Sequence, residues 1–187
     1  ISVDNMISFR KISEDDLPLI LRWRTDPEVT RYMSTDIEFD LEKQLLWYNK
    51  NVRDCSPLEH LIILHNDKPV GVLNLGKYNS TVKKNDWGYY IGELESKIIG
   101  GLIPAYFYNY MFLHRDISLK KITGHCFALN TKMRAIHQFY GVSEVKILKE
   151  YICKHGKMFD IVLVEITKEK WLSQKENFQH YQLIIKE

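Results

Sequence analysis

Apolar positions change their spacing several times along the 187 residues, and each change marks an element. Ile7 to Lys11 alternates well enough for a short first strand. Ser13 followed by Glu14, Asp15 and Asp16 has the form of an N-cap and an acidic first helical turn. Leu17, Ile20, Leu21 and Trp23 then supply a helical apolar face, which Asp26-Pro27 ends. A second helix is predicted over Leu41 to Asn51. The period then becomes that of strands: Glu59 to Leu64, a hairpin turn over His65 to Pro69, a return over Val70 to Leu75, and another strand over Asp86 to Gly92. Gly100-Gly101 opens a helix expected to reach about His114, with Pro104 in its first turn, where a missing N–H does no harm. Lys121 to Leu129 reads as a strand and Lys132 to Tyr140 as a helix. Two strands follow over Val145 to Cys153 and Met158 to Ile166, joined by the turn His155-Gly156-Lys157. The order β-α-α-β-β-β-α-β-α-β-β describes one mixed α/β domain.

Composition narrows the function classes. At 45% hydrophobic and 12% aromatic, the chain can bury one core and is not disordered. Lys plus Arg number 26 against 24 Asp plus Glu, so there is no basic excess of the kind nucleic-acid binders carry. Cys55, Cys126 and Cys153 are few, odd in number and widely spaced, which excludes a disulfide framework or a zinc knuckle and suits a reducing, cytoplasmic setting. No apolar run reaches the ~20 residues of a membrane span. Met6-Ile-Ser-Phe-Arg reads like a natural start, which makes residues 1–5 an expected remnant of expression.

The first chemical signal is the strand Asp86–Gly92 followed by Lys97-Ile-Ile-Gly100-Gly101-Leu102. Glycines at a strand-to-helix turn let backbone N–H groups approach an anion at a helix N-terminus. The second is Lys121 to Val142, KITGHCFALNTKMRAIHQFYGV, in which Asn130 closes a strand and Gly141-Val142 closes a helix.

With these two segments in view, the chain resembles the GNAT superfamily of acetyl-CoA-dependent N-acyltransferases. The family signature Asn-x-x-Ala-Ile-x-x-Tyr-x-Lys-x-Gly-Phe falls on Asn130, Met133, Arg134, His137, Phe139, Gly141 and Val142, and the family's Gln/Arg-x-x-Gly-x-Gly/Ala turn before the central helix falls on Lys97-Ile-Ile-Gly100-Gly101-Leu102, a degenerate match. The pieces WRTDPEVTRYM (23–33), LLWY (45–48), KPVGVLNL (68–75), DWGYYIG (86–92) and KHGKMFDIVLVEI (154–166) are similar to one branch, the N-acetyltransferases of nucleotide-linked amino sugars. Within it they resemble the UDP-4-amino-sugar enzymes of pseudaminic-acid biosynthesis; ribosomal-protein N-terminal acetyltransferases share much of the architecture. The resemblance implies a GNAT domain over residues 6–171 with a C-terminal extension over 172–187. It also implies a mixed, mostly antiparallel seven-stranded sheet, splayed at its centre and flanked by about four helices.

The same resemblance assigns roles. The cosubstrate is acetyl-CoA, with no metal. Tyr90, Ile91 and Gly92 are expected to present backbone groups to the thioester, and Lys97, Gly100, Gly101, Leu102 and Asn130 to meet the rest of CoA. The family's acid, a tyrosine, is replaced by His137, whose ordinary pKa near 6.5 would suit an imidazolium donor. A Glu base of the branch is replaced by His125, which as a neutral imidazole can accept a proton. Asn74 matches a polar position facing the acetyl group. On the acceptor side Arg24 is expected to meet a sugar-nucleotide phosphate, and Tyr32, Met33, Trp47 and Trp87 to form an apolar wall. The expected activity is acetyl transfer to the primary amine of a UDP-linked deoxyamino sugar by direct attack in a ternary complex. Its rivals are a protein N-terminal or polyamine acetyltransferase, favoured by a groove of carboxylates, and a CoA-binding module without catalysis. Lys83-Lys84 and Lys120-Lys121 read as solvated pairs. The late apolar tail HYQLIIKE and the superfamily's habit suggest a homodimer; no nucleic-acid or membrane partner is expected.

Overall fold

The computed structural model describes residues 7–76 and 87–187, so residues 1–5, the Lys83-Lys84 pair and Asp86 lie outside the described residues. Strand β1 (Ile7–Lys11) buries Ile7 and Phe9 on one face. Ser13 opens a tight turn over Glu14–Asp16. The Asp16 carboxylate accepts from the Ser13 N–H at 2.8 Å and takes both arms of the Arg10 guanidinium at 2.7 and 2.8 Å. That two-pronged pair ties the start of helix α1 (Leu17–Arg24) to β1. Asp26 caps a short α2 (Pro27–Thr30), and Asp40 caps α3 (Leu41–Tyr48), which continues through a wide turn to Arg53.

Strands β2 (His60–His65) and β3 (Lys68–Asn74) form the expected hairpin, with Asn66 and Asp67 both at positive φ in its two-residue turn. The register shifts by one residue at Ile63/Leu64, opposite Pro69-Val70-Gly71. Pro69 has no N–H to give to the ladder, and a bulge is where an interior strand tolerates it. Strand β4 (Gly88–Ile91) pairs with β3 and ends at Gly92. A Cβ on Gly92 would lie 2.2 Å from the Trp23 ring, so only glycine lets the chain pass the indole.

The helix expected to open at Gly100-Gly101 starts later. Residues Leu94–Gly101 form 3-10 turns, and α4 (Ile103–Tyr110) follows, extended by a wide turn to Arg115. Pro104 sits at its second position, where no N–H is needed. Tyr106, Phe107 and Tyr108 are buried in the main core.

Strand β5 (Lys121–Phe127), helix α5 (Thr131–Phe139), β6 (Ser143–Lys154) and β7 (Lys157–Thr167) follow the predicted order. Asn130 caps α5 by accepting from the Met133 N–H, and Gly141, at φ +79°, closes it. The tail adds α6 (Lys168–Ser173) and a two-residue β8 (Ile185–Lys186), parallel to β1. The described residues therefore hold eight strands where seven were expected. They form a five-stranded sheet ordered β4-β3-β2-β1-β8 and a three-stranded sheet ordered β5-β7-β6. Phe178 and Leu183 are buried in the core of their own chain, while Ile184 is exposed.

Candidate active site

The two sheets meet without joining. Among the described residues, strand β4 bonds only to β3, and β5 only to β7. The parity of the ladders tells which backbone groups face the gap. The Gly92 N–H donates to the Val70 carbonyl at 2.7 Å, so Gly88, Tyr90 and Gly92 point their amides at β3. Tyr89 and Ile91 therefore present theirs to the other side. By the same count the Ala128 N–H, bonded to Asp160, puts the backbone of Thr123, His125 and Phe127 on the gap side of β5. Of the expected trio Tyr90, Ile91 and Gly92, Ile91 is the one whose amide faces the gap.

A cavity of about 480 Å³ opens where these strands part. Its walls come from α1, the segment after α2, α3, β2, β3, β4, β5 and α5. Tyr32, Trp47, Trp87, Tyr89, Tyr90 and Phe127 line it with aromatic surface. Its ionisable lining also includes Arg24, His60, His125 and His137, and among the described residues it contains no Asp or Glu.

The cavity brings together most of the residues singled out from the sequence: Arg24, Tyr32, Met33, Trp47, Asn74, Trp87, Tyr90, His125, Asn130 and His137. Some have structural duties as well. Trp87 stacks on Phe107 with ring centres 3.9 Å apart and is 9% exposed, so it is part of the core. Asn74 Oδ1 accepts from the Gly76 N–H at 2.9 Å, and Arg24 donates to Met33 Sδ and to the Thr35 carbonyl. Ile91, Gly92, Lys97, Gly100, Gly101 and Leu102 do not line the cavity; Ile91 ends β4 with its amide toward the gap, and the others follow it along the chain. Tyr89 Oη donates to the Gly100 carbonyl and Tyr140 Oη to the Gly101 carbonyl, each at 2.6 Å. The two tyrosines hold this turn with its carbonyls inward. Leu102 spends its N–H on the Ile99 carbonyl. A Cβ on Gly101 would meet nothing within 4 Å, so open space lies beside the turn.

His137 is 6% exposed and its Nδ1 is buried with no hydrogen-bond partner. Burial lowers its pKa to about 4, against a smaller opposing pull from Glu144. The imidazolium that made His137 attractive as an acid is thus scarce at neutral pH, and the neutral ring is the working form. His125, by contrast, is exposed. Cys126 lines the cavity beside it, but burial pushes the thiol up to about 11, which keeps it protonated and a poor nucleophile.

Sequence reasoning missed His60, Gln44, Ser34, Thr35 and Ile37, all in the wall. His60 pairs directly with Asn74 across the β2–β3 ladder. Counting back from the hairpin turn puts His60 opposite Leu73, and the bulge alone moves it to Asn74. Pro69 in an interior strand was the available signal.

Residues 7–143 match the acetyltransferase (GNAT) domain family, and the chain belongs to it. Among curated proteins it is 22% identical over 131 residues to acetyltransferase PseH of Campylobacter jejuni, which covers 70% of this chain and 79% of that one. A second C. jejuni PseH matches at 24% over 83 residues, 44% of this chain and 50% of that one. Among solved structures, the spermidine N-acetyltransferase of Vibrio cholerae in complex with CoA and spermine superposes with a TM-score of 0.79 at 19% identity, covering 90% of this chain and 99% of that one. A GNAT-family acetyltransferase from Bacillus anthracis gives 0.72 at 17%, covering 88% and 96%. The chain is an N-acetyltransferase of this family, whose members use acetyl-CoA. Among the described residues no cluster of three or more His, Cys, Asp or Glu is arranged to hold a metal ion, and no helix is long and apolar enough to cross a membrane.

Proposed function

We propose that this chain acetylates the primary amine of a nucleotide-linked deoxyamino sugar, a UDP sugar, in a ternary complex with acetyl-CoA. The observation that carries the reading is the lining of the cavity: aromatic rings, one arginine and, among the described residues, no carboxylate. A polyamine is a polycation, and an enzyme built for one needs anions to receive it. A sugar nucleotide is a dianion with an apolar deoxysugar edge and a flat base, for which Arg24 and the aromatic rings are suited. The likeness of the sequence to the amino-sugar branch points the same way.

The residues present fit acetyl-CoA, which supplies an activated acyl carbon and a thiolate leaving group. The parted edges of β4 and β5 offer backbone groups to its arm, and the open space beside Gly101, near Lys97, Gly100 and Leu102, suits its diphosphate. Asn130 closes β5 at the same gap. In the reaction the Ile91 N–H holds the carbonyl oxygen as charge develops there. His125 takes the proton of the attacking amine, a task for a neutral, exposed imidazole. His137 donates an N–H from its neutral ring toward the departing sulfur. Asn74, across the ladder from His60, orients the amine. Tyr32, Met33, Trp47 and Trp87 seat the acceptor. A cytoplasmic setting agrees with three free cysteines.

The test is thiol release from acetyl-CoA against a panel of UDP-amino sugars, polyamines and peptides. Turnover confined to UDP-amino sugars is expected. Preference for spermidine or a peptide would overturn the acceptor assignment, and no release with any amine would favour a CoA-binding module.

A further inference from the structure

One wall of the cavity has no regular structure. Between α2 and α3, residues Tyr32, Met33, Ser34, Thr35 and Ile37 line it, and most of them are exposed on their other side. Such a segment does not hold its place by itself, because backbone entropy favours spreading it over many conformations. Its position is set from a distant part of the chain. Lys154, the last residue of β6, has a side chain only 8% exposed. Its ammonium donates to the Thr30 carbonyl at 2.6 Å and the Met33 carbonyl at 2.9 Å, and lies 3.3 Å from Asp36 Oδ1. Three donors meet three acceptors, all of them in the segment or at its root. His155 adds an outer contact, with Nε2 at 2.7 Å from Asp36 Oδ2.

Burying an ammonium is costly, and lysine is among the residues least often buried. Filling space between a hairpin and a loop would need only an apolar side chain. The geometry instead brackets one residue. Thr30 and Met33 stand on either side of Tyr32, whose ring meets Phe127 of β5 edge-on at 6.3 Å across the cavity. Fixing those two carbonyls fixes where the Tyr32 ring can reach.

We propose that Lys154 is a positioning residue of the acceptor site: through its three bonds the β6–β7 hairpin clasps the 30–36 segment and sets Tyr32 and Met33 for the acceptor, with Asp36 and His155 as the outer latch. This rests on reading the cavity as the acceptor site.

The test uses the full chain and the substitutions Lys154→Met, which keeps the volume and removes the charge, and Asp36→Asn at the rim. With the amine found by the panel, Lys154→Met is expected to raise the acceptor KM about tenfold or more, leaving the KM for acetyl-CoA within about twofold. Asp36→Asn should raise the acceptor KM about threefold. A second measurement needs no acceptor: trypsin cleavage after the exposed Arg31, in CoA-saturated protein, should become about tenfold faster in Lys154→Met. Parental values for both the acceptor KM and the cleavage rate would overturn the clasp. So would loss of CoA affinity in step with acceptor affinity, the mark of a general packing role. Where Lys154→Met does not fold, Asp36→Asn decides by the same two readings. A panel with no acetylated amine sinks the proposed function, while the cleavage rates still decide whether the segment is held by Lys154.

Discussion

Two buried polar side chains, 28 residues apart in sequence, have opposite fates in this molecule. Asn109, on α4, is 1% exposed and its amide is fully used. It donates to the Phe178 and Tyr181 carbonyls at 2.8 and 2.9 Å and accepts from Trp171 Nε1 at 2.9 Å. It clamps the C-terminal tail over the core, where Trp171 and Phe178 stack with ring centres 5.1 Å apart. His137, on α5, is 6% exposed, faces the cavity and leaves Nδ1 without a partner. A satisfied buried polar group holds a fold in one arrangement, whereas an unsatisfied one costs stability and is kept where something else can use it. The tail clamp is structure; the α5 wall of the cavity is where the fold gives up stability beside the proposed chemistry.

Four outcomes would break or sharpen this contrast. The largest is at the clamp. Asn109→Ala strands one donor and two acceptors and leaves a small void, so we expect a loss of about 3–4 kcal/mol in denaturant unfolding. A loss under about 1 kcal/mol would mean that the tail is not held there.

Next is the pH dependence of stability. The folded pKa of His137 lies near 4, below the unfolded value of 6.5. Between those two values the unfolded chain binds the proton and the native chain does not, so stability falls as the pH drops from 6.5 to 4. The full effect is about 3 kcal/mol. His137→Phe should flatten that window, and an unchanged slope would show that the ring is not buried as described.

A smaller effect concerns turnover. His137→Phe removes a neutral N–H donor rather than an acid, so kcat should fall about tenfold, with no loss of stability at pH 8. A loss of about a thousandfold would mean that the ring carries the proton after all. Smallest is Trp171→Phe, which keeps an aromatic ring beside Phe178 but removes the pyrrole half of the indole with the N–H bonded to Asn109. The expected cost is about 1–2 kcal/mol by thermal or chemical unfolding.

Much of the fold was legible in the residues. The alternation in Ile7–Lys11, the helical spacing of Leu17, Ile20, Leu21 and Trp23, and the turn at Asn66-Asp67 each report a local preference that the structure keeps. What tertiary packing added was local rearrangement: 3-10 turns over Leu94–Gly101, a tail strand on β1, and a division of the strands into two sheets. The site was legible as a set of residues rather than as chemistry. His137 could be pointed to from Asn130 and Gly141-Val142, but its pKa comes from burial, which no spacing reveals. Lys154 looked like an ordinary residue beside a hairpin turn. Its acceptors lie 121 and 124 residues away.

The sequence alone determined which segments become helices and strands and in what order they come, because those choices depend on neighbours within a few positions. The tertiary structure decided the register that sets His60 against Asn74, the parting of β4 from β5, the neutral state of His137 and the clasp of Lys154. Each of these depends on atoms brought together from remote parts of the chain, where a one-residue bulge or the exclusion of water changes the outcome and leaves no local pattern to read.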